Sequence, residues 1–145
     1  MPKTTHPTKT ALIECAADLL EKYRFDEITV EMVLDRSNIS KGSLYHHFED
    51  LGELLEAAQV YRYAAWVDRS IVLIVPVLSS AKTRDDIIEG LRVLTQYTQS
   101  EEYRVTRFSR ARTLANSETS PRFQKALGIE QDRLTAALED LVAEA

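Results

Sequence analysis

Cysteine is almost missing from this sequence: Cys15 stands alone, so no internal disulfide can form. Its neighbours Ala11, Leu12, Ala16 and Leu19 make it a small packed hydrophobe, and no basic neighbour is present to activate the thiol. Glycine and proline are scarce too, four of each, and alternating β-branched runs are few, which leaves little material for sheet and predicts a nearly all-α chain. No apolar stretch approaches the roughly 20 residues of a membrane span. The longest, Ile71 to Leu78, is interrupted by Pro76. The amino end, Met1 to His6, has no apolar run to serve as a secretory signal and reads as a flexible arm, so a cytoplasmic location is expected. A glycine-rich phosphate loop, a nucleophile elbow and paired catalytic carboxylates are also missing, and these absences predict neither an enzyme nor a cofactor. The adjacent His46 and His47 diverge on a helix while His6 lies on the arm, so no metal site is expected either.

What is present is a succession of punctuated helices. The length of 145 residues suits one ordinary domain, or a small module joined to a larger bundle. The first helix is predicted to start at Thr8 or Thr10 and run to about Tyr23, with Leu12, Ala16, Leu19, Leu20 and Tyr23 inward. Phe25 and Ile28 should plug the space beyond it. Thr29 supplies a capping hydroxyl for a second helix, whose Val30, Val33 and Leu34 face inward. Asn38 then suits the left-handed turn that follows, and Ile39 anchors that turn. Ser40 caps a third, short helix with Leu44 and Phe48 as its buried stripe, leaving Lys41, Ser43, Tyr45 and His46 on its other surfaces. Gly42 is costly in a helix interior, cheaper in a first turn, and it lets the backbone approach a phosphate or a base edge. Helix, turn, helix is the plain reading, and a compact second helix studded with hydrogen-bonding side chains is a common reader of the DNA major groove.

Further along, Asp50 and Glu53 fit a capping box opening a long helix through Leu54, Leu55, Ala58, Tyr61 and Ala65. Pro76 is expected to break or bend the apolar segment around it, which is hydrophobic nearly all round and so a candidate buried element. Thr83, Ser100 and Ser120 open three more helices, with Ile87, Leu91 and Leu94, then Phe108, Ala111 and Leu114, then Phe123, Leu127, Leu134, Leu138 and Leu141 inward.

Charge opposes a simple nucleic-acid reading. The formal net charge is -5, and the first fifty residues hold six Lys or Arg against nine Asp or Glu. From Arg36 to Phe48, however, there are two basic residues, two histidines and no acid, and the sign at the contact face matters more than the sum.

Phe25, Ile28-Thr29-Val30, the run Ile39-Ser40-Lys41-Gly42-Ser43-Leu44-Tyr45-His46-His47-Phe48 and Leu54-Leu55 together resemble the tetracycline-repressor (TetR) family of bacterial transcription regulators, over roughly residues 8 to 58. The resemblance implies an N-terminal three-helix helix-turn-helix domain, placed at 1–50, and a larger helical ligand-binding and dimerisation bundle at 51–145. It implies a homodimer that represses transcription from a pseudo-palindromic DNA operator until a small-molecule effector moves the two readers apart. By position, Thr29 would cap the second helix against a phosphate, and Ser40 heads the reader. Lys41, Gly42, Ser43, Tyr45 and His46 would contact bases or phosphates, and His47 would support the helix or touch backbone.

The sequence departs from the family pattern at Arg24 and Asn38, where glycine is usual or frequent, and at Leu51, where a lysine typically grips a phosphate. Losing that contact lowers the salt slope of binding by about one unit unless Lys3, Lys9 or Arg36 compensates. Family members commonly continue for several dozen more residues, whose helices build the dimer interface. Either the chain is a piece of a longer one, or it dimerises through the helix from Pro121 onward. Tyr61, Trp66, Tyr97, Tyr103, Arg107, Phe108 and Arg110 combine aromatic walls with polar handles and are the candidates for an effector pocket, though each fits equally well as an ordinary core or surface residue of a bundle. The competing reading is a helical interaction protein with weakened DNA binding, acting through protein partners or mixed dimers; the acidic net charge and Leu51 favour it.

Overall fold

A computed structural model of the chain describes residues 6–143; the proposed arm before His6, Lys3 included, lies outside them. Among the described residues there are seven α-helices and no strand: α1 Pro7–Lys22, α2 Val30–Ser37, α3 Lys41–His47, α4 Leu51–Ser79, α5 Arg84–Gln99, α6 Arg104–Asn116 and α7 Pro121–Ala143, with one 3-10 turn at Phe25–Glu27. Among the described residues no helix is long and apolar enough to cross a membrane. The chain forms two compact units, one ending at Arg62 and the other beginning at Tyr63, so the division falls inside α4.

The first unit is built on apolar residues at helical spacing. Leu12, Ala16 and Leu19 of α1 meet Ile28, Val33 of α2, Leu44 of α3 and Phe48. The first turns of α4 add Leu54, Leu55 and Ala58 to the same core, which is why this compact unit extends past residue 50. Cys15 is buried there, its thiol donating to the Val33 carbonyl at 3.7 Å, and burial raises its pKa. Helix α1 starts earlier than Thr8 or Thr10. His6 is its cap, with Nδ1 accepting from the Thr8 amide at 3.3 Å, and Pro7 occupies the first helical position, where a missing N–H costs nothing.

The second unit buries Tyr63, Trp66 and Val67 of α4 together with Phe123 and Leu127 of α7. Arg133 of α7 pairs with Asp68 and donates to the Ala64 carbonyl at 3.2 Å, both on α4. Thr83 caps α5 through the Asp86 amide, and Asp86 returns the bond to the Thr83 amide, a reciprocal capping box. Ser120 caps α7 through the Phe123 amide.

Several expectations for this unit are corrected. Pro76 does not interrupt α4, which runs on to Ser79. The proline removes one helical bond, to the carbonyl of Val72, and it does so in the last turn, at an exposed residue where water can take the orphaned acceptor. The segment around it is not a buried element, for Val72 is 71% exposed and Leu73 is exposed as well. Helix α6 begins at Arg104 rather than at Ser100, whose hydroxyl instead accepts from the Tyr103 amide in the preceding turn; Phe108, Ala111 and Leu114 are exposed, and so is Leu91 of α5. Periodicity marks a face as apolar, but whether another element covers it depends on the rest of the packing.

Candidate nucleic-acid interface

Three local devices set the geometry of α2, the turn and α3. The Thr29 hydroxyl accepts from the Met32 amide at 3.3 Å and fixes the start of α2. At the other end Asn38 adopts φ 55°, ψ 25°, the left-handed conformation that glycine or asparagine tolerates best. The adjacent Ser37 hydroxyl accepts from the Ile39 amide at 3.2 Å, and Ile39 packs against the core. Ser40 then caps α3 by accepting from the Ser43 amide at 3.2 Å, and its hydroxyl donates to Ser43 Oγ at 3.0 Å. Arg24, the other departure from a usual glycine, has φ −74° in extended backbone that any residue adopts, so nothing in the chain demands a glycine there.

Leu44 and Phe48 are buried and fix the rotation of α3. What remains outward is Lys41, Gly42, Tyr45 and His46, all exposed, with Ser43 and His47 half-buried at the margins. A Cβ added to Gly42 would meet no atom within 4 Å, so packing inside the chain does not require glycine at this position. The face therefore offers an ammonium, a phenol, an imidazole and a stretch of bare backbone. Those groups can donate to phosphate oxygens or reach base edges.

All three histidines converge at one end of this face. His6 is not on the arm: its ring centroid lies 4.8 Å from that of His47, which in turn lies 5.0 Å from His46 in an edge-on arrangement. Lys9 Nζ sits 5.3 Å from the centroid of Phe48. Desolvation, followed by the charges of His6, His46 and Lys9, lowers the His47 pKa. His6 and Lys9 belong to this corner through α1, and the only trace of it in the sequence is Pro7, which places a helix start beside His6. Among the described residues no group of three or more His, Cys, Asp or Glu could hold a metal ion.

The depressed His47 pKa has a defined sign for stability. The unfolded chain binds the proton more readily than the folded one, so the first unit should lose stability as pH falls through the ordinary imidazole range. We expect the urea midpoint of the wild type to drop between about pH 7.5 and about pH 5.5, and His47→Gln to flatten that dependence. Equal slopes in the two proteins would contradict the role given to His47.

Cationic help from elsewhere is limited. Arg36, at the end of α2, is engaged by Asp18 of α1 at 2.8 Å. Leu51 is half-buried against the first unit's core, and the start of α4 is closed by its own acids: Asp50 Oδ1 accepts from the Glu53 amide at 2.7 Å and Glu53 Oε2 from the Glu49 amide at 2.6 Å. The reciprocal bond thus reaches Glu49, one residue before the expected Asp50. An anion approaching this helix end would meet carboxylates.

The residues proposed for an effector pocket fall into two groups. Tyr61 belongs to the first unit, exposed, with its hydroxyl donating to Glu14 at 3.5 Å. In the second unit Trp66 Nε1 donates to the Tyr103 hydroxyl at 2.7 Å, the Tyr103 ring lies 5.3 Å from Tyr97, and the Arg110 guanidinium lies 3.3 Å over the Trp66 ring. Arg107 donates to the carbonyls of Thr98 at 2.6 Å and Ser100 at 2.8 Å, bracing the α5–α6 turn, and Phe108 is 60% exposed.

Compared with known proteins, residues 12–58 match the model of one family, described as bacterial regulatory proteins, tetR family. No curated protein and no solved structure matches the chain.

Proposed function

From the premise that residues 12–58 belong to the tetR family of DNA-binding bacterial transcription regulators, we propose that this chain is a homodimeric repressor released from a pseudo-palindromic operator by a small-molecule effector. One observation carries the reading: a polar outward face on α3, held in a fixed rotation by Leu44 and Phe48, lies within the matched segment. Lys41, Tyr45 and His46 reach the DNA from that face, Gly42 admits close approach, Thr29, Ser40 and Ser43 hold the helix starts, and His47 backs the far end. Two readers enter successive major grooves about 34 to 36 Å apart.

The exposed apolar residues of the second unit, Val72, Ile88, Val105 and Phe108 among them, support a second copy as the partner, since burying such side chains against it would remove apolar surface from water. Sedimentation tests this, and a monomer at high protein concentration would count against the homodimer.

Selection of bound DNA from a random pool is the primary test, with an inverted repeat as the expected product. Lys41→Ala should then lower the slope of log affinity against log salt by about 0.9, the share of one phosphate contact, and Tyr45→Phe should weaken binding by loss of a donor. Binding that is unchanged in the double variant would eliminate α3 as the contact face. The second reading, an interaction protein with a weakened reader, is favoured by the carboxylates that close α4 and by Leu51 half-buried against the core. Failure of the random pool to enrich any sequence would select it.

A further inference from the structure

The aromatic cluster of the second unit is rich in hydrogen-bond donors and short of acceptors. Trp66 is a donor through its indole nitrogen, and the Tyr103 hydroxyl already accepts that bond, so its own proton is left to give. Arg110 contributes a guanidinium of five N–H groups. Its Nε is buried without a hydrogen-bond partner, and among the described residues no carboxylate forms an ion pair with it. Elsewhere the arginines show what usually satisfies such a group: Arg36, Arg92, Arg104 and Arg133 are paired with acids, and Arg107 with two carbonyls. Arg110 instead has the face of Trp66, at 3.3 Å. An indole face attracts the cation but accepts none of its in-plane N–H bonds. The missing component is an acceptor with negative charge.

We propose that Arg110, backed by Trp66 and flanked by Tyr103, binds a small aromatic carboxylate. The planar carboxylate matches the guanidinium fork, and the fork is already oriented by the indole beneath it. The neighbouring Tyr97 ring, 40% exposed and 5.3 Å from Tyr103, favours a flat apolar body over a small inorganic anion. The proposal rests on the effector reading above and gives that effector a chemical class.

Trp66 is the only tryptophan in the chain, so its emission reports this site alone. The full chain, without DNA, is titrated with benzoate, with neutral benzamide and with acetate. Benzoate should produce a saturable change in emission, and benzamide and acetate should require at least about tenfold higher concentration. Arg110→Gln should weaken benzoate about ten- to a hundredfold and Arg110→Lys should not restore it, because an ammonium lacks the fork. Tyr103→Phe, which keeps the ring, should weaken it less. Arg112→Gln, the same charge change at an exposed position on α6, should titrate like the wild type, and circular dichroism should show every variant folded. Equal responses to benzoate and benzamide, or to benzoate and acetate, would overturn the aromatic carboxylate. So would an unchanged titration in Arg110→Gln. Because the readout needs no DNA, failure here leaves the repressor standing with another effector, whereas benzoate binding without release of an enriched operator would refute release by this ligand and not the site.

Discussion

Leu44→Ala is expected to cost the first unit about 3 to 5 kcal/mol, because Leu44 is fully buried where α1, α2, α3 and α4 meet and its truncation leaves a cavity that backbone held by caps at both ends cannot close. That is a large share of the roughly 5 to 15 kcal/mol by which a domain is stable. DNA binding should disappear with it, since the rotation of α3 rests on Leu44 and Phe48 alone among its neighbours in sequence. Urea denaturation followed by far-ultraviolet circular dichroism measures the first effect. A midpoint within experimental error of the wild type would show that the core is not organised around this residue.

Gly42→Ala should separate stability from function. The new methyl group meets nothing inside the chain, and alanine is the better helix former by up to about 1 kcal/mol, so the variant should be no less stable than the wild type. If the outward face meets DNA as proposed, the same methyl would stand between backbone and DNA, and affinity for DNA should fall by roughly ten- to a hundredfold. Opposite signs in the two measurements would be hard to obtain from a residue serving only the fold. An unchanged affinity would mean that DNA does not come close to this turn.

These two residues also show what a sequence makes visible. Caps and turns are local: Thr29, Ser40, Thr83 and Ser120 bond to amides three residues away, and Asn38 needs only its own backbone, so all five were readable from spacing and residue type. The burial of Leu44 and Phe48 was equally legible, because a seven-residue helix offers only one apolar stripe. Contacts between distant segments were not legible. Nothing in the spacing of His6 and His47 says that their rings meet, and Trp66 and Arg110 were each nameable as polar or aromatic lining without any sign that one stacks on the other. The faces of α5 and α6 failed for a related reason, since Leu91, Phe108 and Leu114 lie at inward-looking spacing and yet all three are exposed.

The two residues that occur only once divide between the two units. Cys15, the sole thiol, is buried in the unit ending at Arg62, and Trp66, the sole indole, lies in the unit beginning at Tyr63. A thiol shielded from solvent, with its pKa raised by burial, reacts with an alkylating reagent only when its surroundings open. The rate of Cys15 alkylation therefore clocks the opening of one unit while indole emission follows the other. The sequence thus carries a separate reporter of melting for each of its two compact units, with no label added to either.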